Sequence, residues 1–224
     1  MRMLVEPRLA ASAPCHGFGL RGTSEPAGLA RPRQVHGAAV ARAADCLKGA
    51  ERPAADAVVA TTPGVPVGVL TADCVPLLLS SGAGDAVAAV HAGWRGLAAG
   101  VVAAGVEALV TAAGVGPERL LAAIGPHIGP CCYEVDAAVL DALAGRHGQA
   151  MGRAVRPARA GHAMLDLGAL VDAALVRAGL PQPAVGRAAA ACTCCDPRRF
   201  HSFRRDGVSA GRLVHFVEAG ACKG

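Results

Sequence analysis

The strongest fold signal in the chain is the segment TADCVPLLLSSGAGDAVAAVHAGWRG, residues 71–96. Two apolar runs flank Ser-Gly-Ala-Gly at positions 81–84, a pattern that predicts a β-hairpin. A two-residue turn at positions 82 and 83, with glycine first, fits the type II′ geometry. In that register Cys74 lies opposite His91, with both side chains on one face and their Cβ atoms ~5 Å apart. A shift by one residue would place them on opposite faces.

Further elements are predicted on both sides of this hairpin. Short apolar runs bounded by Gly, Pro or Asp predict strands at 57–61, 67–71, 75–80, 86–91, 120–124 and 213–217. Helices are predicted at 97–113, 165–178 and 136–143. Strands joined by hairpins and by crossovers, together with segregated helices, indicate an α+β fold. We expect a single domain over 1–224, with a mixed β-sheet flanked by helices. An α/β arrangement is the alternative.

Composition excludes several classes of protein. The chain has 224 residues, of which 53% are hydrophobic and 17% charged, so a packed core is expected and disorder is not. The longest segment without Asp, Glu, Lys or Arg, 57–72, is too short to span a bilayer, so no membrane partner is expected. The net charge of +5 comes without a run of like charges, so no nucleic-acid partner is expected either. The sequence carries no signal for the oligomeric state.

Cysteine usage bears on the compartment. The nine cysteines are an odd number and include the adjacent pairs Cys131-Cys132 and Cys194-Cys195, which favours reduced thiols in a chain of this size. Residues 1–13 lack the hydrophobic block of a signal peptide. These observations predict a cytoplasmic protein.

The predicted pairing of Cys74 with His91 suggests two kinds of chemistry. A thiolate beside an imidazole is half of a zinc site or the start of a Cys-His nucleophile dyad; the alternative is a buried cysteine next to a structural histidine. Spacing leaves the third zinc ligand open between His36 and His127. Asp73, at the same strand end, is a candidate proton carrier if the strand bends there, because strict alternation points it away from Cys74.

The remaining candidates surround this pair. The turn after His91 leads into a predicted helix, and with Arg95 it forms a candidate seat for an anion. The histidines His147, His162 and His215 are expected to be structural or on the surface. The segment 192–195, CTCC, could bind a second, structural metal with Cys131 or Cys132, although the spacing is not that of a zinc finger.

Five blocks of the chain carry a family resemblance. They are RQVHG at 33–37, TADCVP at 71–76, AVHAGWRG at 89–96, IGPHIGPCCYEV at 124–135 and FHSFRRD at 200–206. In the same order, these blocks resemble those of the laccase-domain family, whose members are described as purine nucleoside phosphorylases. Its bacterial members include the peptidoglycan editing factor, and an older name for the family is polyphenol oxidase. The resemblance implies a fold related to toxin-type cysteine hydrolases. It also implies that zinc is bound by His36, Cys74 and His91.

The resemblance also implies a reaction. Adenosine, inosine, guanosine and methylthioadenosine would undergo phosphorolysis, and adenosine would also be deaminated. The partners would then be a small nucleoside and phosphate, with Arg95 holding the phosphate and with Cys74, His91 and Asp73 as catalytic residues. Tyr133 could border the purine or simply pack at a helix start. Arg204, Arg205 and Asp206 could form a cluster that faces the substrate or an internal ion pair.

Three rival functions remain. Copper-dependent polyphenol oxidation is disfavoured because none of the eight histidines forms a His-x-His pair, although copper stays an alternative metal. A metal-free hydrolase would use Cys74 as nucleophile and His91 as base, acting on an amide of a peptidoglycan precursor. A non-enzymatic metal-binding module would turn over no nucleoside. The chain departs from the family in the short segment at 20–33, in Ser209-Ala-Gly-Arg212 and at His201.

Overall fold

The computed structural model describes residues 3–12, 14–48 and 51–221. The strands, numbered in chain order, are β1 (Met3–Leu4), β2 (Pro14–Gly19), β3 (Val40–Arg42), β4 (Ala57–Ala60), β5 (Pro66–Thr71), β6 (Val75–Ser81), β7 (Val87–Ala92), β8 (Leu120–Ile124), β9 (Glu134–Asp136), β10 (Val155–Pro157), β11 (His162–Leu165), β12 (Val185–Arg187) and β13 (Leu213–Ala221). The helices are α1 (Pro7–Ala11), α2 (Ala43–Leu47), α3 (Trp94–Ala99), α4 (Val101–Ala113), α5 (Ala137–His147), α6 (Met151–Ala154), α7 (Leu167–Arg177) and α8 (Phe203–Asp206).

The central feature is a six-stranded mixed sheet in the order β12-β8-β6-β7-β4-β3. The two outer pairs, β12 with β8 and β3 with β4, are parallel, and the inner pairs are antiparallel. A four-stranded sheet, β1-β2-β13-β5, covers one face of this sheet, and a small three-stranded sheet has the order β10-β11-β9. This mixed α+β architecture confirms the predicted fold class.

The central strands are apolar on both faces because each face is covered. Leu77 on β6 packs in a core that includes Val106 of α4 and Leu170 of α7. Its neighbour Leu78 points the other way, into a core shared with Val217 of the four-stranded sheet. Alternation along β6 therefore supplies two hydrophobic cores, which explains its continuous apolar run.

The hairpin between β6 and β7 forms, but its register differs from the prediction. Pro76, not Cys74, lies opposite His91. The two-residue turn is replaced by a longer loop, in which the hydroxyl of Ser81 donates to Asp85 at 2.5 Å and accepts from the backbone N–H of Asp85 at 3.2 Å. These local side-chain bonds favour the wider loop. The shift is of two residues, so Cys74 keeps the parity that points it to the same face as His91.

The six predicted strands are present with small changes at their ends, whereas the helices differ more. The predicted helix 97–113 begins earlier, at Trp94, and Gly100, with φ +94°, divides it into α3 and α4. The helix predicted at 165–178 begins at Leu167, because the Asp166 side chain caps it by accepting from the Ala169 N–H. The short helix 136–143 extends to His147. The prediction missed the six-residue strand β2 and the shorter strands β1, β3, β9, β10, β11 and β12. It also missed the short helices α1, α2, α6 and α8.

The cysteines are not all reduced. Seven of them within the described residues are free, but Cys15 on β2 is disulfide-bonded, so the prediction of reduced thiols is wrong there. Pairing depends on which cysteines the fold brings within bonding distance, and spacing along the chain does not reveal this. Among the described residues, no helix combines the length and apolar character needed to cross a bilayer.

Candidate metal centre and active site

A cavity of about 670 Å³ opens where β5 and β7 end and β6 begins. Most of the predicted site residues line it: His36, Asp73, Cys74, His91, Arg95 and Tyr133. The strand-to-helix connection at Gly93 makes the close approach possible. A Cβ on Gly93 would lie 2.9 Å from Cys74 Sγ and 3.3 Å from the His36 ring, so a larger residue would disrupt the cluster.

Three donors converge at the floor of this cavity. The candidate ligand atoms of His36, Cys74 and His91 all lie within 4.8 Å of one another. The two imidazole rings meet edge to face, with centroids 4.8 Å apart. The other candidate, His127, instead makes a 2.8 Å hydrogen bond from Nδ1 to the Gly125 carbonyl. Of the two histidines that remained candidates for the third ligand, the fold brings His36, and not His127, close to the Cys74 thiol.

Asp56 orients two of these donors, and sequence reasoning missed it. Its fully buried carboxylate accepts from His91 Nδ1 at 2.8 Å and from the backbone N–H groups of Val35, His36 and Gly37 at 3.1, 2.9 and 2.7 Å. The first bond leaves His91 Nε2 free to bind a metal. The others hold His36 in a left-handed conformation with φ +60°. An aspartate directly before the apolar strand β4 was the available signal.

The electrostatics of the cluster favour the thiolate. Burial raises the pKa of Cys74, but hydrogen bonds from His36 and His91 outweigh it and lower the pKa to about 6. Burial lowers the pKa of His91, but its bonds to Asp56 and Cys74 outweigh this and raise the pKa to about 9. Two imidazoles and a thiolate are a donor set for zinc that leaves a fourth position open.

Asp73 lies where the strand bends, as its predicted role requires. It has φ +91° and is 7% exposed. Its carboxylate accepts from the hydroxyls of Thr193 and Ser202 at 2.6 and 3.0 Å and from the Arg204 N–H at 2.6 Å. These bonds make Asp73 a positioning residue for the wall of the cavity, and its role as a proton carrier stays a prediction.

The lining of the cavity is strongly basic and includes three aromatic side chains, Trp94, Tyr133 and Phe203. Five arginines line it: Arg31, Arg33, Arg95, Arg204 and Arg212. The Arg95 guanidinium lies 4.4 Å from the Trp94 ring centroid, and that of Arg204 lies 5.1 Å from the Tyr133 centroid. Guanidinium groups bind phosphate through paired hydrogen bonds, and aromatic faces stack on planar rings.

Arg205 does not line the cavity. Its guanidinium donates to Asp206 at 2.8 Å and to the carbonyls of Thr193, Cys194 and Phe200 at 2.9 to 3.0 Å. Of the two possibilities that the sequence left open, the internal ion pair is the one present. The preceding residue, Arg204, faces the cavity instead, because α8 turns consecutive side chains by about 100°.

This fold and site define a class: a mixed α+β protein with a Cys-His₂ donor cluster at the base of a basic cavity. The chain belongs to the family described as multi-copper polyphenol oxidoreductase laccase, whose model matches residues 20–219. A purine nucleoside phosphorylase of Xylella fastidiosa is 42% identical over 185 residues, covering 81% of this chain and 68% of that protein. A protein of an unknown prokaryotic organism, named adenosine deaminase RL5, is 37% identical over 191 residues, covering 82% and 72%.

Solved structures show the same fold. YlmD of Geobacillus stearothermophilus superposes with a TM-score of 0.80 at 32% identity, covering 86% of this chain and 74% of that one. A Neisseria meningitidis protein, NMB0706, superposes with a TM-score of 0.78 at 37% identity, covering 86% and 75%.

Proposed function

We propose that this protein is a zinc-dependent purine nucleoside phosphorylase with a second activity as an adenosine deaminase. Its substrates would be adenosine, inosine, guanosine and methylthioadenosine, together with phosphate. The observation that carries the proposal is the convergence of His36, Cys74 and His91 beneath an arginine-lined cavity. The enzyme names of the relatives support the same reaction class.

The donor set suits the proposed metal. A thiolate and two imidazoles match the ligands of zinc sites, and the Asp56 bond to His91 is the outer support that such ligands have. When bound, zinc supplies an open coordination position at which phosphate or water is held and polarised. Copper also binds two histidines and one cysteine, so activity after reconstitution with each metal distinguishes the two.

The chain's own residues hold the two substrates. A volume of about 670 Å³ is in the range of small-molecule sites. Arg95, whose guanidinium lies over the Trp94 ring, binds phosphate oxygens, and Arg204 extends the same positive surface. Tyr133 offers an aromatic face to the purine. Asp73 fixes the backbone of Arg204 and therefore the position of this wall.

The proposal is tested by incubating the purified protein with adenosine, with and without phosphate, and separating the purine products. We expect adenine to appear only with phosphate, and a smaller amount of inosine to form without it. His36→Ala should abolish both reactions, whereas the matched variant His162→Ala, in β11 away from the cavity, should keep them. Chelation should remove activity, and zinc should restore it better than copper. Absence of adenine with full metal loading would contradict the phosphorylase.

One observation favours a second candidate, the cysteine hydrolase. Cys74, His91 and Asp56 are linked in the order of a nucleophile, base and orienting carboxylate. His36 argues against it, because a second imidazole on the same thiolate serves a metal site and has no role in a dyad. Full activity on an amide after complete metal removal would favour the hydrolase.

A further inference from the structure

A second cluster of metal-binding side chains lies outside the site described above. The sulfur atoms of Cys131, Cys132, Cys192 and Cys195 all lie within 4.8 Å of one another. Cys195 Sγ is 3.6 Å from Cys131 Sγ and 3.3 Å from Cys132 Sγ. In a tetrahedral site with Zn–S bonds of about 2.3 Å, neighbouring sulfurs are about 3.8 Å apart. We propose that these four cysteines bind one structural zinc ion.

The polypeptide holds the two halves of this cluster together without the ion. Cys131 and Cys132 belong to the connection between β8 and β9, and Cys192 and Cys195 follow β12. A parallel bridge joins His127 to Cys192, and the Thr193 N–H donates to the His127 carbonyl at 3.0 Å. The sulfurs are therefore brought together by backbone pairing, so little ordering remains to be done when a metal binds.

Local contacts around the sulfurs resemble those of metal thiolates. The Gly129 N–H donates to Cys192 Sγ at 3.2 Å. A Cβ on Gly129 would lie 3.3 Å from Cys131 Sγ and from Cys192 Cβ, so glycine allows this close approach.

The cluster is accessible to a metal ion from solvent. Cys131 and Cys195 are exposed, so the ion has a path from solvent.

The geometry favours a single zinc ion over two other uses of four cysteines. In a multi-iron cluster, different cysteines bind different irons, which requires wider separations than a set within 4.8 Å. A disulfide requires sulfurs about 2.05 Å apart, and all four thiols are free in this structure. Tetrahedral thiolate sites are characteristic of zinc.

The proposed zinc ion would hold part of the cavity wall in place. Tyr133, which lines the cavity, directly follows Cys132, and Thr193, which donates to Asp73, directly follows Cys192. A zinc ion joining these segments would restrain both contacts at once. The proposed site does not depend on which reaction the protein catalyses.

The test is the metal content of the full chain, purified under reducing conditions and dialysed against a trace of zinc. We expect about two zinc ions per chain in the wild type and about one in Cys74→Ala, which removes a ligand of the first site. Cys195→Ser should also retain about one, and the double variant almost none. Cys46→Ser is the matched control, because Cys46 on α2 belongs to neither cluster, and it should keep both ions.

A second readout identifies the ligands. With cobalt in place of zinc, Cys74→Ala should absorb through thiolate charge transfer about four times as strongly per ion as Cys195→Ser, because four thiolates replace one. The result for Cys74→Ala decides the matter even where Cys195→Ser fails to fold. A reduced Cys74→Ala protein without metal, or one with a Cys132–Cys195 disulfide instead, would overturn the proposal. Inactivity towards nucleosides would count against the proposed function alone.

Discussion

Asp56 shows how one side chain can organise a site that it does not enter. Its buried carboxylate binds three consecutive N–H groups at positions 35–37 and the imidazole of His91. The loop that carries His36 and the strand that carries His91 are thereby set relative to each other. Cys74 then needs only the bend at Asp73, with φ +91°, to complete the cluster.

At the residue scale, we expect Asp56→Asn to weaken zinc binding about 10–100-fold, the usual effect of removing the outer partner of a metal ligand. The amide keeps one acceptor oxygen and loses the one that binds Val35 and Gly37. The measurement is a competition titration of zinc against a chelator. Asp85→Asn, in the exposed hairpin loop, is the control and should bind zinc like the wild type. Equal affinities in the two variants would refute this role for Asp56.

The sequence predicted the three candidate metal-binding residues of this site but not Asp56, which orients two of them. Cys74 and His91 follow from alternation in a hairpin, and His36 followed from the family resemblance. Asp56 stands out only as an aspartate directly before an apolar strand, and its role was not predicted because its partners are 19 to 35 residues away. The sequence did not separate Arg204 from Arg205 as the residue that faces the cavity, because the orientation of the short helix α8 depends on its cap, where Ser202 accepts from the Arg205 N–H.

Among the elements, the break between α3 and α4 has the clearest physical cause. Gly100 adopts φ +94° and ends α3 while beginning α4. The break lets α3 start directly at the cavity, with Trp94 and Arg95 at its first positions, while α4 runs along the central sheet. An alanine-rich segment predicted one helix because only the glycine conformation, and no proline, marks the break.

At the element scale, we expect Gly100→Ala to lower the free energy of unfolding by about 1–2 kcal/mol, the cost of a left-handed conformation for a residue with a Cβ. The added Cβ would also lie 2.8 Å from the Arg146 guanidinium, which donates to the Ala98 carbonyl. The matched variant is Gly145→Ala on α5, where the Cβ meets open space. It should be stabilising by about 0.5–1 kcal/mol.

Both values come from denaturant unfolding followed by circular dichroism. A Gly100→Ala variant as stable as the wild type would show that α3 and α4 can join without cost.

At the scale of the whole molecule, His215 is buried where the two large sheets meet. It lies on β13, is fully buried beside Phe18, and its Nε2 is 2.9 Å from Thr71 Oγ1. Burial, with a smaller contribution from His91, lowers the pKa of His215 to about 3. The folded protein therefore holds this imidazole neutral, whereas the unfolded chain protonates it near pH 6.5.

We therefore expect stability to fall as the pH is lowered from 6.5 towards 3, because the unfolded state binds the additional proton. At pH 5 this group alone should cost about 2 kcal/mol relative to pH 7, since each pH unit corresponds to about 1.4 kcal/mol. His215→Gln should remove that part of the pH dependence. Unfolding by urea at both pH values measures it.

The partly exposed His162 provides the control for this experiment. His162→Gln should leave the pH dependence of stability as it is in the wild type, because the His162 side chain is not fully buried as that of His215 is. An unchanged pH dependence in His215→Gln would contradict the buried, neutral state of this imidazole.

The sequence alone determined the α+β class, the main strands, the hairpin and the parity that places Cys74 and His91 on one face. These features depend on neighbours along the chain, where apolar alternation and turn residues act directly. The tertiary structure decided the orienting carboxylate of Asp56 and the four-cysteine cluster. Each of these joins segments that are distant along the chain, and their approach depends on how two sheets and a helical layer bury both faces of the central sheet.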